Sequence, residues 1–195
     1  MPQETIAEPA AARFALPAQI LHWAMAALIL VMLGLGAWLV GSLGDYPAVL
    51  AWHKAVGFAV LVLAVLRVGN RIWHKPPPAP GSVVGPERVA MALSEAAMYA
   101  LFLAQPIAGW ALVSASGIPV EFAGARLPAI APTDIHLYGL LRVTHSALAY
   151  ALLVCVVAHV GAVLVHTVGL RDRLLSRMLP ARRKVSSDTR FLGTG

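Results

Sequence analysis

The 195-residue chain is poor in cysteine, in aromatic residues and in charge. Its single cysteine, Cys155, stands inside an apolar run, so no intrachain disulfide can form. Only 12% of the residues are charged, against 59% hydrophobic, and a soluble domain of this length cannot hide so much apolar surface. The membrane class is favoured before any motif is read. Acid is scarcer than base, with nine Asp and Glu against fifteen Lys and Arg. In a soluble protein that balance would point to nucleic acid. Here the basic residues gather at the ends of apolar runs, which is a topology signal, and lipid is the expected partner rather than nucleic acid. The N-terminus also lacks a basic n-region. Residues 1–13, MPQETIAEPAAAR, hold two glutamates and one arginine, and the apolar run after them is too long for a cleaved signal peptide. It reads as a retained first span.

Four segments are long enough for a hydrocarbon core, which takes about 20 helical residues. They run from about Pro17 to Val40, Val49 to Trp73, Arg88 to Ser114 and Leu137 to Val168. Between Leu21 and Val40 there is no formal charge. The third span contains Glu95 and a Gln105-Pro106 pair, where the proline should kink the helix. The connections are GSLGDYP, the proline-rich KPPPAPGSVVGP, and a longer loop from Ala115 to His136. The expected fold class is all-α, an integral membrane four-helix bundle. Residues 1–16 form an N-terminal tail, 17–170 the four-span domain, and 171–195 a basic tail.

Orientation follows from the basic residues. With both termini inside, the cytoplasmic side collects Arg13, Arg67, Arg71, Lys75, Arg88 and seven more from Arg171 to Arg190. The opposite side holds Lys54, Arg126 and Arg142. The bundle is therefore expected N-in and C-in, as a multi-pass membrane protein with both termini cytoplasmic.

Seven histidines are present. His74, His136 and His166 fall at span ends, where an interfacial histidine needs no function. His22, His53, His145 and His159 fall within spans, where ionisable groups are costly. In this topology His53 and His145 share the outer level, and His22 and His159 the inner one. His145 and His159 are fourteen residues apart. That is about 21 Å of helix and nearly four turns, so both point the same way to within about 40°. A lone membrane histidine can simply hydrogen-bond across the bundle. Two level-matched pairs, each drawn from two helices, suit a different role: one imidazole on each face of a haem, twice over. Zinc fits less well, because neither pair has a third ligand. There is no CxxCH, so covalent c-type attachment is unsupported.

Haem propionates favour basic partners near the bilayer edge. Arg67 follows His53 by fourteen residues and reaches the inner level on nearly the same face. Arg142 precedes His145 by one turn and, with Lys54, could serve the outer haem. Positive-inside topology alone accounts for Arg71 and competes for Arg67; snorkelling competes for Arg142 and Lys54. Gly34, Gly36, Gly57, Ala149 and Gly161 could admit a flat macrocycle, although small residues are common at membrane helix contacts. Trp23 and Trp52 suit aromatic belts. Glu95 needs a partner or a proton.

Several stretches carry a resemblance. LHW in the first span, WHKAVG and RVGNR in the second, ALFLAQPIAGW in the third, THSALAY and AHV in the fourth and the closing LLSRMLP are similar to the bacterial cytochrome b561 family. The resemblance spans about residues 15–180. It implies four transmembrane helices holding two non-covalent b-type haems, with His22, His53, His145 and His159 as axial ligands. It also implies electron transfer with a membrane quinone, ubiquinone being the expected one. Some members oxidise superoxide at the outer face. Many members carry histidines early in the third span, where this chain has MALSEAAMYA and none.

The expected function is thus electron transfer between a donor, superoxide among the candidates, and quinone. Two other readings stand beside it. One is a haem-bearing anchor subunit of a dehydrogenase or hydrogenase. The other is a non-redox bundle whose histidines handle protons or a metal ion.

Overall fold

A computed structural model of the chain describes residues 13–42, 44–74, 77–78, 85–122, 124–170 and 175–179. Four helices dominate: α1 (Leu16–Gly41), α2 (Tyr46–Trp73), α3 (Pro86–Ala115) and α4 (Ile135–Leu164). All four are long and apolar enough to cross a membrane. α4 continues into a π-helical turn, Val165–Gly169. The expected spans agree with these to within a few residues at each end. α1, α2 and α3 each begin with a proline in the first turn, where the missing N–H breaks no helical bond. α4 is capped by Asp134, whose carboxylate accepts from the Leu137 N–H at 2.7 Å. α3 runs on through Pro106, whose ring nitrogen cannot bond the Phe102 carbonyl.

The loop after α3 holds structure that its composition does not announce. Val120–Phe122 (β1) and Ala125–Leu127 (β2) pair antiparallel, with Val120 opposite Leu127. Gly117 leaves α3 at φ +77°, a conformation strained for any side chain. The hairpin packs on the bundle through Phe122, whose ring lies 4.4 Å from that of Phe58 on α2. The Trp110 indole donates to the Pro128 carbonyl at 3.1 Å.

At the opposite end, residues just before α1 meet a short segment that follows α4. A short 3-10 turn, Leu175–Met178, lies against the start of α1, and the Phe14 N–H donates to the Arg177 carbonyl at 3.1 Å. We call these the hairpin end and the terminal end. The first twelve residues, and 171–174 and 180–195 of the basic tail, lie outside the described residues, as does Lys75.

Packing is sequential: α1 lies along α2, α2 along α3, and α3 along α4. α4 has no extended packing against α1 or α2. The tightest layer joins Met25 and Ile29 of α1, Val60 and Ala64 of α2, Phe102 of α3 and Leu152 of α4. Outward apolar side chains such as Leu30 and Val154 stay exposed, as a lipid solvent allows. Association then rests on packing rather than on a drive to leave water.

Candidate functional site

The four span histidines meet in two pairs. At the hairpin end the rings of His53 (α2) and His145 (α4) lie 6.1 Å apart between centroids, at 74°. At the terminal end His22 (α1) and His159 (α4) lie 6.3 Å apart, at 56°. Both pairs reach across the side of the bundle where α4 lacks extended packing. Val60 and Leu152 of the tight layer fall midway between the levels. Val60 is seven residues from both His53 and Arg67, and Leu152 seven from both His145 and His159.

The two levels have different surroundings. At the terminal end an Arg67 Nη2 lies 3.1 Å from His22 Nδ1. Arg67 is held in turn by α3, with Nε donating to the Tyr99 hydroxyl at 3.4 Å and the guanidinium 5.5 Å from that ring's centre. One turn further along α2, Arg71 forms a two-pronged pair with Glu95, at 3.0 and 3.1 Å. Glu95 therefore has the partner its position demands. At the hairpin end no cation among the described residues hydrogen-bonds to either ring. Gln105 Nε2 lies 3.3 Å from His145 Nε2. Gly109 passes so close that an added Cβ would stand 3.0 Å from His145 Cε1. Gly36 lies opposite His53, its missing Cβ 3.8 Å from that ring's Cε1.

Arg142 is exposed and makes no hydrogen bond or ion pair among the described residues, so the structure does not join it to the His53–His145 pair. His74 and His136 are exposed at helix ends. Of the small residues considered from sequence, Gly36 is at a pair. Gly34 and Gly161 face open space, and Gly57 meets Met32. Gly109, Gln105 and Tyr99 lie beside the pairs although no motif in the sequence marks them as site residues. Gly109 follows Glu95 by fourteen residues, the interval that separates His145 from His159. That repeat was the available signal.

The pairs suit a metal held between two imidazoles. Two metal–nitrogen bonds of about 2 Å on opposite sides of one ion bring ring centroids roughly 6 Å apart. At the hairpin end His53 Nδ1 and His145 Nδ1 are buried without a hydrogen-bond partner. Among the described residues no three His, Cys, Asp or Glu converge as ligands. Paired imidazoles without a third protein ligand match haem iron, whose other four positions the macrocycle fills.

Four apolar helices with histidine pairs at two depths define a membrane bundle of the cytochrome b kind. The chain belongs to the prokaryotic cytochrome b561 family, which it matches over residues 13–181. It is 30% identical over 183 residues to "Cytochrome b561 homolog 2" of Escherichia coli K12, covering 90% of this chain and 94% of the relative. It is 27% identical over 178 residues to "Cytochrome b561 homolog 1" of the same organism, covering 88% and 99%. It is 29% identical over 134 residues to "Probable superoxide oxidase CybB" of Yersinia pestis, covering 67% and 74%. Membership implies b-type haem and a multi-pass bacterial membrane protein.

Proposed function

We propose that the chain is a di-haem transmembrane cytochrome that carries single electrons from a donor at the hairpin end to a quinone at the terminal end. The observation that carries this is the meeting of four membrane-embedded imidazoles in two pairs at two depths. His53 and His145 hold one haem; His22 and His159 hold the other. A haem held between two imidazoles would supply one-electron ferric–ferrous chemistry rather than oxygen binding.

The chain's own residues set the conditions. The layer from Met25 to Leu152 keeps water out between the two levels. Gly109 and Gly36 keep side-chain bulk away from the ligand rings. Arg67 can only donate, so its contact occupies the His22 Nδ1 lone pair and leaves the ring proton on Nε2. For His22 to hold a metal through Nε2, Arg67 would have to release Nδ1, and the freed guanidinium would then be available to an anionic group at this level. A shallow, open apolar groove on the outer surface of the bundle, lined by Leu16, Ile20, Leu66, Asn70 and Trp73 among others, lies beside this level, where a lipid-soluble quinone would approach.

The basic residues favour a cytoplasmic terminal end and a periplasmic hairpin end. Lys54 and Arg142, near the hairpin end, would attract an anionic donor, and the name of the Yersinia relative makes superoxide the first to try. Two superoxide anions each give one electron and leave as dioxygen, while one quinone takes two electrons and two protons. The test is quinone reduction by the purified protein in detergent, with superoxide and other donors supplied in turn. Reduction linked to turnover of both haems is expected. A haem-free protein contradicts the reading, and activity only with a co-purifying dehydrogenase would make the chain its membrane anchor.

A further inference from the structure

The turn Leu175–Met178 is tied to three places at once. The Phe14 N–H donates to the Arg177 carbonyl at 3.1 Å. Arg177 Nη2 donates to the Pro78 carbonyl at 2.7 Å, and its guanidinium stands 5.7 Å from the centre of the Phe14 ring. The Trp23 indole N–H donates to the Met178 carbonyl at 2.9 Å. Gln19, itself buried, steadies the same corner by donating to the Phe14 carbonyl at 2.8 Å. Arg177 is only 7% exposed, which is costly for a cation unless it is hydrogen-bonded, and the Pro78 carbonyl and the Phe14 ring meet that need.

What it holds is next to His22. The Trp23 ring meets the His22 ring edge to face, at 5.4 Å and 87°. The Trp23 indole is 44% exposed, and its N–H is directed to the Met178 carbonyl rather than left to solvent. The bond therefore fixes the Trp23 ring, which in turn limits rotation of the His22 ring. Groups that orient a metal-binding imidazole tune the metal's properties and affinity. Among the described residues no indole is tethered in this way beside the hairpin-end pair, where Trp52 is 67% exposed.

We propose that Leu175–Met178 is a latch, anchored by Arg177, that positions His22 through Trp23 and so sets the properties of the terminal-end haem alone. Arg177 and Trp23 are positioning residues. The inference rests on His22 being a haem ligand.

The test uses the full-length purified protein and two variants. Arg177→Gln removes the charged anchor; Trp23→Phe keeps an aromatic ring and removes the N–H. Three quantities are read: the exchange rate of the Phe14 amide hydrogen, the low-spin resonance and midpoint potential of each haem, and the rate at which each haem is lost to a scavenger protein. Arg177→Gln should speed Phe14 exchange. Both variants should shift the signal and potential of the terminal-end haem and speed its loss by about tenfold, the lower end of the range for such supporting contacts. The hairpin-end haem serves as the internal reference and should not change. Two haems with unaltered signals in both variants would overturn the latch while leaving the di-haem reading intact. Equal loss of both haems in Trp23→Phe would assign the residue to general packing and also overturn it. If the parent protein carried no haem, the di-haem reading would fall, and unchanged Phe14 exchange in Arg177→Gln would separately overturn the latch.

Discussion

The hairpin-end and terminal-end pairs are built from the same ligand type at nearly the same ring separation, yet their surroundings differ. Space defines the first: Gly109 lies against His145, Gly36 faces His53, and the neighbouring polar group is the neutral Gln105. Charge and tethers define the second: Arg67 on His22, Tyr99 on Arg67, the Arg71–Glu95 pair, and the turn at Arg177. Local charge and hydrogen bonding set haem potentials. A cation beside a haem disfavours the more positive ferric state, so the terminal-end haem should have the higher potential. Electrons would then run downhill from the hairpin end to the terminal end.

Breaking the spatial half of this contrast should have the largest effect. Gly109→Leu places a side chain where even a Cβ stands 3.0 Å from the His145 ring, inside a helix contact that cannot yield freely. It should abolish the hairpin-end haem and spare the other, as counted by haem extraction and visible spectra. Gly36→Ala is the matched control. Its Cβ would sit at an ordinary 3.8 Å, and both haems should remain. Next comes the charged half. Arg67→Met should lower the terminal-end midpoint by tens of millivolts and leave the other unmoved; about 59 mV is a tenfold change for one electron. A redox titration resolving the two haems reads this directly. The smallest effect belongs to Glu95→Gln. The pair it breaks is over a third exposed on both sides, so the cost to thermal stability should be about 1 kcal/mol or less. Neither haem spectrum should shift.

Much of this was legible before any coordinates. Span positions follow from apolar length, because a bilayer imposes one thickness on every helix. The levels of the four histidines follow from helical rise, and the interval from His145 to His159 also puts both on one face. Arg67 was reachable the same way from His53. What was not legible depends on lateral arrangement. Sequence does not say that α3, which carries no histidine, runs beside α4 and brings Gly109 and Gln105 to His145. Nor does it pair Glu95 with Arg71, since that requires α2 and α3 to be neighbours. The hairpin at Val120–Leu127 was hidden by short strands in a proline-bearing loop. The turn at Arg177 lies in a segment whose basic composition reads as a free tail, and only its contacts with Phe14, Trp23 and Pro78 show otherwise. Arg142, one turn from His145 along the helix, is exposed and makes no hydrogen bond or ion pair among the described residues, so its expected role toward an anionic group rests on position alone.

The central claim is that two haems sit one above the other, each between a stated pair of histidines. The direct measurement is haem content, together with the resolved low-spin resonances, in four single variants: His22→Leu, His53→Leu, His145→Leu and His159→Leu. Two haems per parent chain are predicted. His53→Leu and His145→Leu should lose the same one, and His22→Leu and His159→Leu the other. One haem in the parent chain, or different haems lost by His53→Leu and His145→Leu, would contradict the account.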